Sequence, residues 1–402
     1  MLRGTTIGRS QENPPHLAYL LGFVIAAGPV SVDVYLPAFG QIAQRFGASV
    51  PQLTLASYFA GFAAGQLAQG LLSDRLGRRA PLLAGLLLYS LSSLGCAVTS
   101  GAAEFCVFRA LAAFGAAASI VVPRAMVRDL ADGTSAATLM SDVLLVMSVA
   151  PVVAPVLGSL VLFFSGWRMI FVVAALYGTA GLYLVARHLP ETLEPWRRNR
   201  LTASSAIQLY GSILREPDFL VHAGIGALGM AALFAYLAGA PSVFMVQDGL
   251  SPMAFGLVLA GLGVAMIGFF RANSWVVRRR GPVFALNVGI WIWILAGASL
   301  SLMAWTDQTG ALLMSLALLV FSLGYSFIPA NAQIGALSRH AAHAGTATSL
   351  MSTLQYVAGA IAGALIGILG DGTARPMAAL ILICACGAGL AARYMPQARL
   401  TP

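Results

Sequence analysis

Long apolar stretches alternate along the whole chain with short turns that hold most of the charged residues. A stretch of about 20 residues crosses the roughly 30 Å hydrocarbon core of a bilayer as an α-helix. Twelve such stretches can be counted, so the pattern predicts an all-α, polytopic membrane protein with twelve transmembrane helices. The predicted helices cover about 17–39, 52–72, 80–99, 102–127, 138–163, 167–186, 219–241, 254–277, 282–304, 309–331, 344–369 and 374–395.

The least apolar segment, from Arg187 to Asp218, divides these helices into two sets of six. Short similarities recur in order in the two sets, such as Leu139–Ser141 opening the fifth helix and Leu350–Ser352 opening the eleventh. Internal repeats of this kind are typical of transporters that bind substrate between two bundles, so we expect two pseudo-symmetric six-helix bundles. The predicted division is a cytoplasmic N-terminal tail at 1–16, an N-terminal bundle at 17–188, a cytoplasmic linker at 189–217, a C-terminal bundle at 218–395 and a cytoplasmic tail at 396–402.

Composition supports a membrane protein and excludes several other classes. Of the 402 residues, 59% are hydrophobic and 9% are charged, whereas soluble domains have about 25% charged residues. The net charge of +9 does not indicate nucleic-acid binding, because the arginines lie singly or in twos and threes between apolar stretches. A membrane enzyme or receptor is disfavoured because the polar residues within the spans are few and form no catalytic set. Met and His residues show no regular ligand spacing, so we expect no metal site.

The positions of the arginines predict the orientation in the membrane. With both termini in the cytoplasm, 17 of the 23 arginines fall in cytoplasmic segments and only Arg45, Arg168 and Arg375 face outside. Cationic loops are retained on the cytoplasmic side during insertion. Any inverted topology would lose this asymmetry, so we expect a multi-pass protein of the cell inner membrane with both termini cytoplasmic.

A basic turn joins the second and third predicted helices, and it contains Gly70, Asp74, Arg75, Gly77, Arg78 and Arg79. The glycines permit a tight turn, and Asp74 is positioned as an ion-pair partner for the arginines. Further charges lie at the cytoplasmic ends of the fourth and fifth helices, namely Arg124, Arg128, Asp129 and Asp142. We expect Arg124 and Asp142 to join the charge cluster around Asp74 and to form a cytoplasmic gate with it.

Two charged residues lie inside apolar helices at matching depth. Asp33 is about 9 Å from the outer end of the first helix, and Arg109 is about seven residues into the fourth helix from the same side. Lone charges in an apolar bundle are far less costly when paired, so we expect them to share one cavity. The alternatives are that Asp33 caps a helix broken at Pro37 and that Arg109 is a purely structural partner.

A mechanism follows from this expected pair. Protonation of Asp33 would release its hold on Arg109 or on substrate. The change in buried charge would then bias the two halves toward opening inward or outward. The driving force would be a proton gradient, with no cofactor.

The sequence resembles the major facilitator superfamily, and more closely the drug:proton antiporters of the bicyclomycin and chloramphenicol resistance (Bcr/CflA) branch. The resemblance covers nearly the whole chain. It lies in Asp33–Pro37, in the turn Gly70–Arg79, in Arg109 with Arg124–Asp129, and in Ala150–Gly158. The last segment contains Pro151, Pro155 and Gly158 and is similar to the antiporter motif of exporters. The chain departs from the branch at Ala112 and Ala113, where Gln-Gly is usual.

The resemblance implies a monomeric, proton-coupled exporter of drugs or other small amphipathic molecules that works by alternating access. Aromatic residues would line its substrate cavity, and the candidates are Tyr35, Tyr58, Phe59, Tyr236 and Phe327. The alternative is a dedicated carrier for a metabolite, a metallophore or a metal ion such as copper on the same scaffold. Topology alone does not distinguish these functions.

Overall fold

The computed structural model describes residues 15–131, 133–198, 203–340 and 344–395, and every regular element in these ranges is helical. The predicted all-α class is therefore confirmed. Lipid offers no hydrogen bonds to the backbone, and a helix satisfies its own N–H and C=O groups within one segment. The predicted tails at 1–16 and 396–402 lie outside the described residues, apart from the first two residues of the first helix.

The N-terminal half opens with a broken helix. Its first two segments end at Ile25 and Asp33, and a 3₁₀ turn at Leu36–Ala38 precedes the third. Pro37 lies in that turn, where the missing N–H interrupts the α-helical hydrogen bonds. The helices of this half are α1 (Pro15–Ile25), α2 (Ala27–Asp33), α3 (Phe39–Phe46), α4 (Val50–Leu76), α5 (Arg79–Val98), α6 (Ala102–Leu130), α7 (Gly133–Ser148), α8 (Ala150–Ser165) and α9 (Trp167–His188).

The C-terminal half follows a connecting segment that contains a 3₁₀ turn at Pro195–Arg197 and α10 (Ala203–Ile213). Several of its helices begin with proline, whose fixed φ and missing N–H cost nothing at a helix start. These helices are α11 (Pro217–Pro241), continued by a π-helical turn at Ser242–Gln247, α12 (Pro252–Arg280), α13 (Pro282–Trp305), α14 (Ala311–Ser326), α15 (Pro329–Leu337), α16 (Ala344–Leu369) and α17 (Arg375–Ala392).

The described helices are consistent with the predicted twelve spans. Ten helical segments are long and apolar enough to cross a membrane, and the bent pair Leu17–Ile25 and Ala27–Phe46 makes an eleventh. The remaining span is α4, which has 27 residues but includes the buried glutamines Gln52, Gln66 and Gln69. These side chains face protein and not lipid, so the helix does not need a uniformly apolar surface.

The two halves meet along two pairs of helices, α4 with α16 and α8 with α12. Small residues permit close approach in both pairs. On α16, a methyl group added at Gly367 would lie 3.0 Å from the Gln52 Cβ of α4. On α12, a methyl group added at Gly263 would lie 3.1 Å from the Pro151 carbonyl oxygen of α8. The first contact lies near the start of α4 and the second near the start of α8. The halves leave a central cavity between them, which is described below.

Candidate functional site

The basic turn between α4 and α5 forms a charge cluster around Arg78, which is 7% exposed. Its Nε donates to Asp129 Oδ2 at 2.8 Å, and its Nη1 pairs with Asp74 and donates to Ser73 Oγ at 3.1 Å. Burial lowers the pKa of Arg78, but the hydrogen bonds with Asp129 and Asp74 outweigh this and raise it above its ordinary value. The turn is thus held to the C-terminal end of α6 by a charged, hydrogen-bonded arginine.

A carboxylate from the segment after α9 closes the same turn. Glu191 Oε1 accepts a hydrogen bond from the Arg78 backbone N–H at 2.8 Å, and Oε2 accepts one from that of Arg79 at 3.2 Å. These N–H groups lie at the start of α5, where a helix favours an anion. Thr192 Oγ1 also donates to Asp129 Oδ2 at 3.3 Å. Sequence reasoning missed Glu191 and Thr192, although their position directly after the sixth span was a usable signal.

The glycines of the turn have different surroundings. Gly77 has a φ of +94°, and a methyl group added there would lie 2.8 Å from Glu191 Cδ, so both the backbone and the contact require glycine. Gly70 instead faces the other half, with Ser349 Oγ of α16 4.0 Å from the position of an added methyl group. Arg75 is exposed, and Arg79 donates to the Ala186 carbonyl oxygen of α9.

The expectation that Arg124 and Asp142 join this cluster is wrong for the described structure. In the described part of the chain, Arg124 forms no ion pair with Asp74, and Asp142 forms none with Arg78. Arg78 already satisfies both Asp74 and Asp129, and Asp142 is exposed on α7. Arg128 is also exposed, and its Nη1 lies 3.6 Å from the position of a methyl group on Gly345 of α16.

A central cavity of about 240 Å³ lies between the two halves. Its walls are largely apolar and aromatic and come from both bundles. Six predicted residues line it: Asp33, Tyr58, Phe59, Pro151, Pro155 and Tyr236. A cavity with mainly apolar walls and one carboxylate fits a small amphipathic molecule.

Two predicted cavity residues lie elsewhere, so that part of the expectation is wrong. Tyr35 is fully buried inside the N-terminal half, where its hydroxyl bonds with Thr54. Phe327 is 4% exposed. It follows the last residue of α14 and packs against Gly289 of α13. Both face the interior of their own bundle, a distinction that composition does not reveal.

Aromatic contacts across the two halves close one side of the central cavity. The rings of Phe59 and Phe234 stack with centroids 3.4 Å apart and an interplanar angle of 4°. Phe62 and Tyr356 also meet, with centroids 4.4 Å apart. Sequence reasoning missed Phe62, Phe234 and Tyr356, because nothing in their spacing separates cavity aromatics from packing aromatics.

Asp33 is the carboxylate of the central cavity. It is the last residue of α2, it is half-buried, and the described residues offer its carboxylate neither an ion pair nor a hydrogen bond. An ionisable side chain in this position is a candidate proton carrier or substrate ligand.

Arg109 does not pair with Asp33, so the predicted shared cavity is wrong for this structure. Its guanidinium lies over the rings of Tyr58, Tyr35 and Phe171, with Cζ 4.3, 4.6 and 5.8 Å from their centroids. Arg109 is 2% exposed and lines a second cavity within the N-terminal half. Tyr58 lies between the two charges, since its ring contacts Arg109 and also lines the central cavity.

The Pro151–Gly158 segment of α8 packs between the first span and the C-terminal half. A methyl group added at Gly158 would lie 3.0 Å from Val34 Cα of the first span. Ser159 Oγ of the same helix bonds with the Pro252 carbonyl oxygen at the start of α12, at 2.9 Å. A methyl group added at Gly256 on α12 would lie 3.0 Å from the Pro155 carbonyl oxygen. The small residues therefore form a tight contact between the halves beside the cavity.

Comparisons with known proteins agree with this architecture. Residues 20–364 match the Major Facilitator Superfamily. A bicyclomycin resistance protein homolog from Haemophilus influenzae is 31% identical over 359 residues, covering 89% of this chain and 90% of that protein. A chloramphenicol resistance protein from Pseudomonas aeruginosa is 33% identical over 362 residues, covering 89% and 85%. The resemblance to this branch seen in the sequence motifs is confirmed.

A solved structure of a D-xylose-proton symporter has a TM-score of 0.73 to this chain, covering 95% of this chain and 96% of that one. Its sequence identity is 18%, so the likeness is one of fold.

Proposed function

The chain belongs to the major facilitator superfamily, and on that premise we propose that it exports small amphipathic drugs across the bacterial inner membrane in exchange for protons. The drug-resistance names of its relatives support the direction of transport and the substrate class. The proposal includes a monomer with both termini in the cytoplasm, driven by the proton gradient without a cofactor.

The observation that carries the proposal is the central cavity itself. It lies between the two bundles, its walls are mostly apolar with several aromatic rings, and it contains the carboxylate of Asp33. Apolar walls bind the body of an amphipathic drug, and a single carboxylate binds a cationic or hydrogen-bond-donating group. The same carboxylate can hold a proton when no drug is present.

Competition at Asp33 couples the two fluxes in this mechanism. A proton that enters from outside neutralises the carboxylate and weakens its hold on the drug. When the cavity faces the cytoplasm, the proton leaves and the carboxylate is free to bind the next drug molecule. This cycle does not depend on a direct ion pair between Asp33 and Arg109.

Two contact regions form the gates of the cycle. The α8–α12 contact at Ser159 and Gly256 closes the outer side of the cavity. On the cytoplasmic side, Ser349 Oγ of α16 donates to the Gln66 carbonyl oxygen of α4 at 3.2 Å, near the turn that the Arg78 cluster holds. Alternating access requires one region to separate while the other stays closed.

Drug susceptibility tests the proposed function. Expression in a bacterial host that lacks its major efflux pumps should raise the inhibitory concentrations of chloramphenicol and bicyclomycin. Collapse of the proton gradient with an uncoupler should abolish export of preloaded drug from these cells. Unchanged susceptibility to a broad drug panel, at verified expression, would reject drug export and favour the dedicated-carrier alternative.

A further inference from the structure

A second cavity, of about 260 Å³, is lined only by residues of the N-terminal half. Its lining residues come mainly from α2, α5, α6, α8 and α9, with one residue each from α1 and α7. We call it the lateral cavity. None of its lining residues lines the central cavity.

The lateral cavity faces the lipid. Its wall at α8 includes Val153 and Leu157, together with Val149 just before the helix, and these residues are 42%, 48% and 51% exposed. Residues two positions apart on a helix point about 200° apart. Val153 therefore points away from Pro151 and Pro155, which line the central cavity. The exposed wall lies within a membrane span, so its surroundings are acyl chains.

Arg109 lies at the inner wall of this cavity and lacks a counter-ion. Among the described residues no carboxylate forms an ion pair with Arg109, and its buried Nε and Nη2 have no hydrogen-bond partner. Three aromatic rings stabilise the cation in part. A buried guanidinium with two free donors still favours an anion strongly.

The guanidinium and the walls together identify the kind of anion. A guanidinium pairs well with the two oxygens of a carboxylate. The remaining walls are mainly valine and alanine, with few polar groups such as Ser31 and Ser93. A small hydrated anion gains nothing from these walls, whereas an alkyl chain does.

We propose that the lateral cavity binds a single-chain amphipathic carboxylic acid that enters from the bilayer. The carboxylate pairs with the guanidinium of Arg109, and the alkyl chain lies along Val149, Val153 and Leu157. This site is separate from the drug cavity, and the Tyr58 ring contacts Arg109 while it also lines that cavity.

Equilibrium binding of radiolabelled dodecanoate to the full-length protein in lipid nanodiscs tests the proposal, with empty nanodiscs as background. Wild type should show saturable binding. Arg109→Gln removes the charge, and Val153→Trp fills the mouth, so each should weaken binding at least about tenfold. Leu160→Trp is the matched control, because Leu160 is a 38% exposed residue of α8 outside both cavities. It should bind as wild type does.

Dodecanol separates recognition of the carboxylate from simple uptake of an alkyl chain. It should displace dodecanoate at least about tenfold less well than unlabelled dodecanoate does. Equal displacement by dodecanol, undiminished binding to Val153→Trp, or equal loss in Leu160→Trp would each overturn the proposal. If Arg109→Gln does not yield a monodisperse protein, the Val153→Trp and dodecanol results decide the question.

Discussion

Asp33 and Arg109 show how two intramembrane charges of opposite sign can remain apart. Each would gain from a direct pair, yet Arg109 lies among Tyr35, Tyr58 and Phe171 while Asp33 faces the central cavity. Cation–π contacts contribute up to about 2 kcal/mol each at desolvated sites, so the rings offset part of the cost of burying the guanidinium. The carboxylate is thereby left available to ligands in the cavity.

The Asp33→Asn variant tests the proposed competition between proton and drug. Asparagine keeps the size of the side chain, but it holds no negative charge and exchanges no proton at physiological pH. We expect drug resistance to fall to the level of cells without the protein. Purified variant should also fail to release protons when chloramphenicol is added.

Asp371→Asn is the matched control, because Asp371 is exposed in the turn before α17, where its carboxylate accepts from Thr373. It should transport as wild type does. Proton-coupled export that survives in Asp33→Asn at normal protein level would rule out Asp33 as the coupling group.

At the scale of elements, the segment after α9 predicts a pH dependence through Glu191. Partial burial raises the pKa of Glu191, but hydrogen bonds from backbone N–H groups lower it by a larger amount. The resulting pKa of Glu191 therefore lies below its ordinary value. A carboxylate of this kind stabilises the fold above its ordinary pKa, and the contribution is lost as the pH falls through the lowered pKa. Protection of the Arg78 and Arg79 amides should therefore stay constant from pH 7 down to the ordinary glutamate pKa of about 4.3, and should fall on further acidification.

Hydrogen exchange, corrected for intrinsic rates, measures this protection. Glu191→Gln should show weak protection already near neutral pH and a smaller change on acidification. Glu194→Gln changes a nearby glutamate to which the structure gives no such contact, and it should behave as wild type does. Wild-type protection in Glu191→Gln would show that the carboxylate does not hold the turn.

The α8–α12 contact predicts a steric block to the transport cycle. Gly256→Val places a side chain about 3 Å from the Pro155 carbonyl oxygen, where overpacking costs about 1–3 kcal/mol. The closed outer gate should be disfavoured by that amount, and drug export should fall by about tenfold or more.

Gly261→Val provides the control on the same helix, because no atom lies within 4 Å of the added methyl position. Both substitutions change helix propensity equally, so their difference isolates the contact. Drug export rates at matched protein levels measure the effect. Equal export by the two variants would mean that the Gly256 contact does not close a gate.

At the scale of the whole molecule, the arginine distribution predicts that the C-terminus is cytoplasmic. A green fluorescent protein fused after Pro402 should fluoresce in living bacteria, whereas alkaline phosphatase inserted after Thr373, in the turn before α17, should be active. The opposite pattern of reporter activity would invert the orientation, and with it the assignment of the α8–α12 contact to the outer side.

Much of this molecule is determined by the sequence alone. The twelve apolar stretches, the basic turn, the small-residue segment at Pro151–Gly158 and the membership of the drug-resistance branch could all be read from residue order. The physical reason is that bilayer thickness sets the length of each span, and only helices satisfy the backbone in lipid. The motifs required no knowledge of packing.

Only the tertiary structure decided which side chains meet. It separated Arg109 from Asp33, turned Tyr35 and Phe327 into their own bundles, and brought Glu191 from beyond α9 to the start of α5. In lipid, apolar residues occur on every face of a helix, so hydrophobic periodicity does not tell a cavity wall from a packed face. That choice depends on how the helices rotate against one another, and those rotations are set by contacts between residues far apart in the chain.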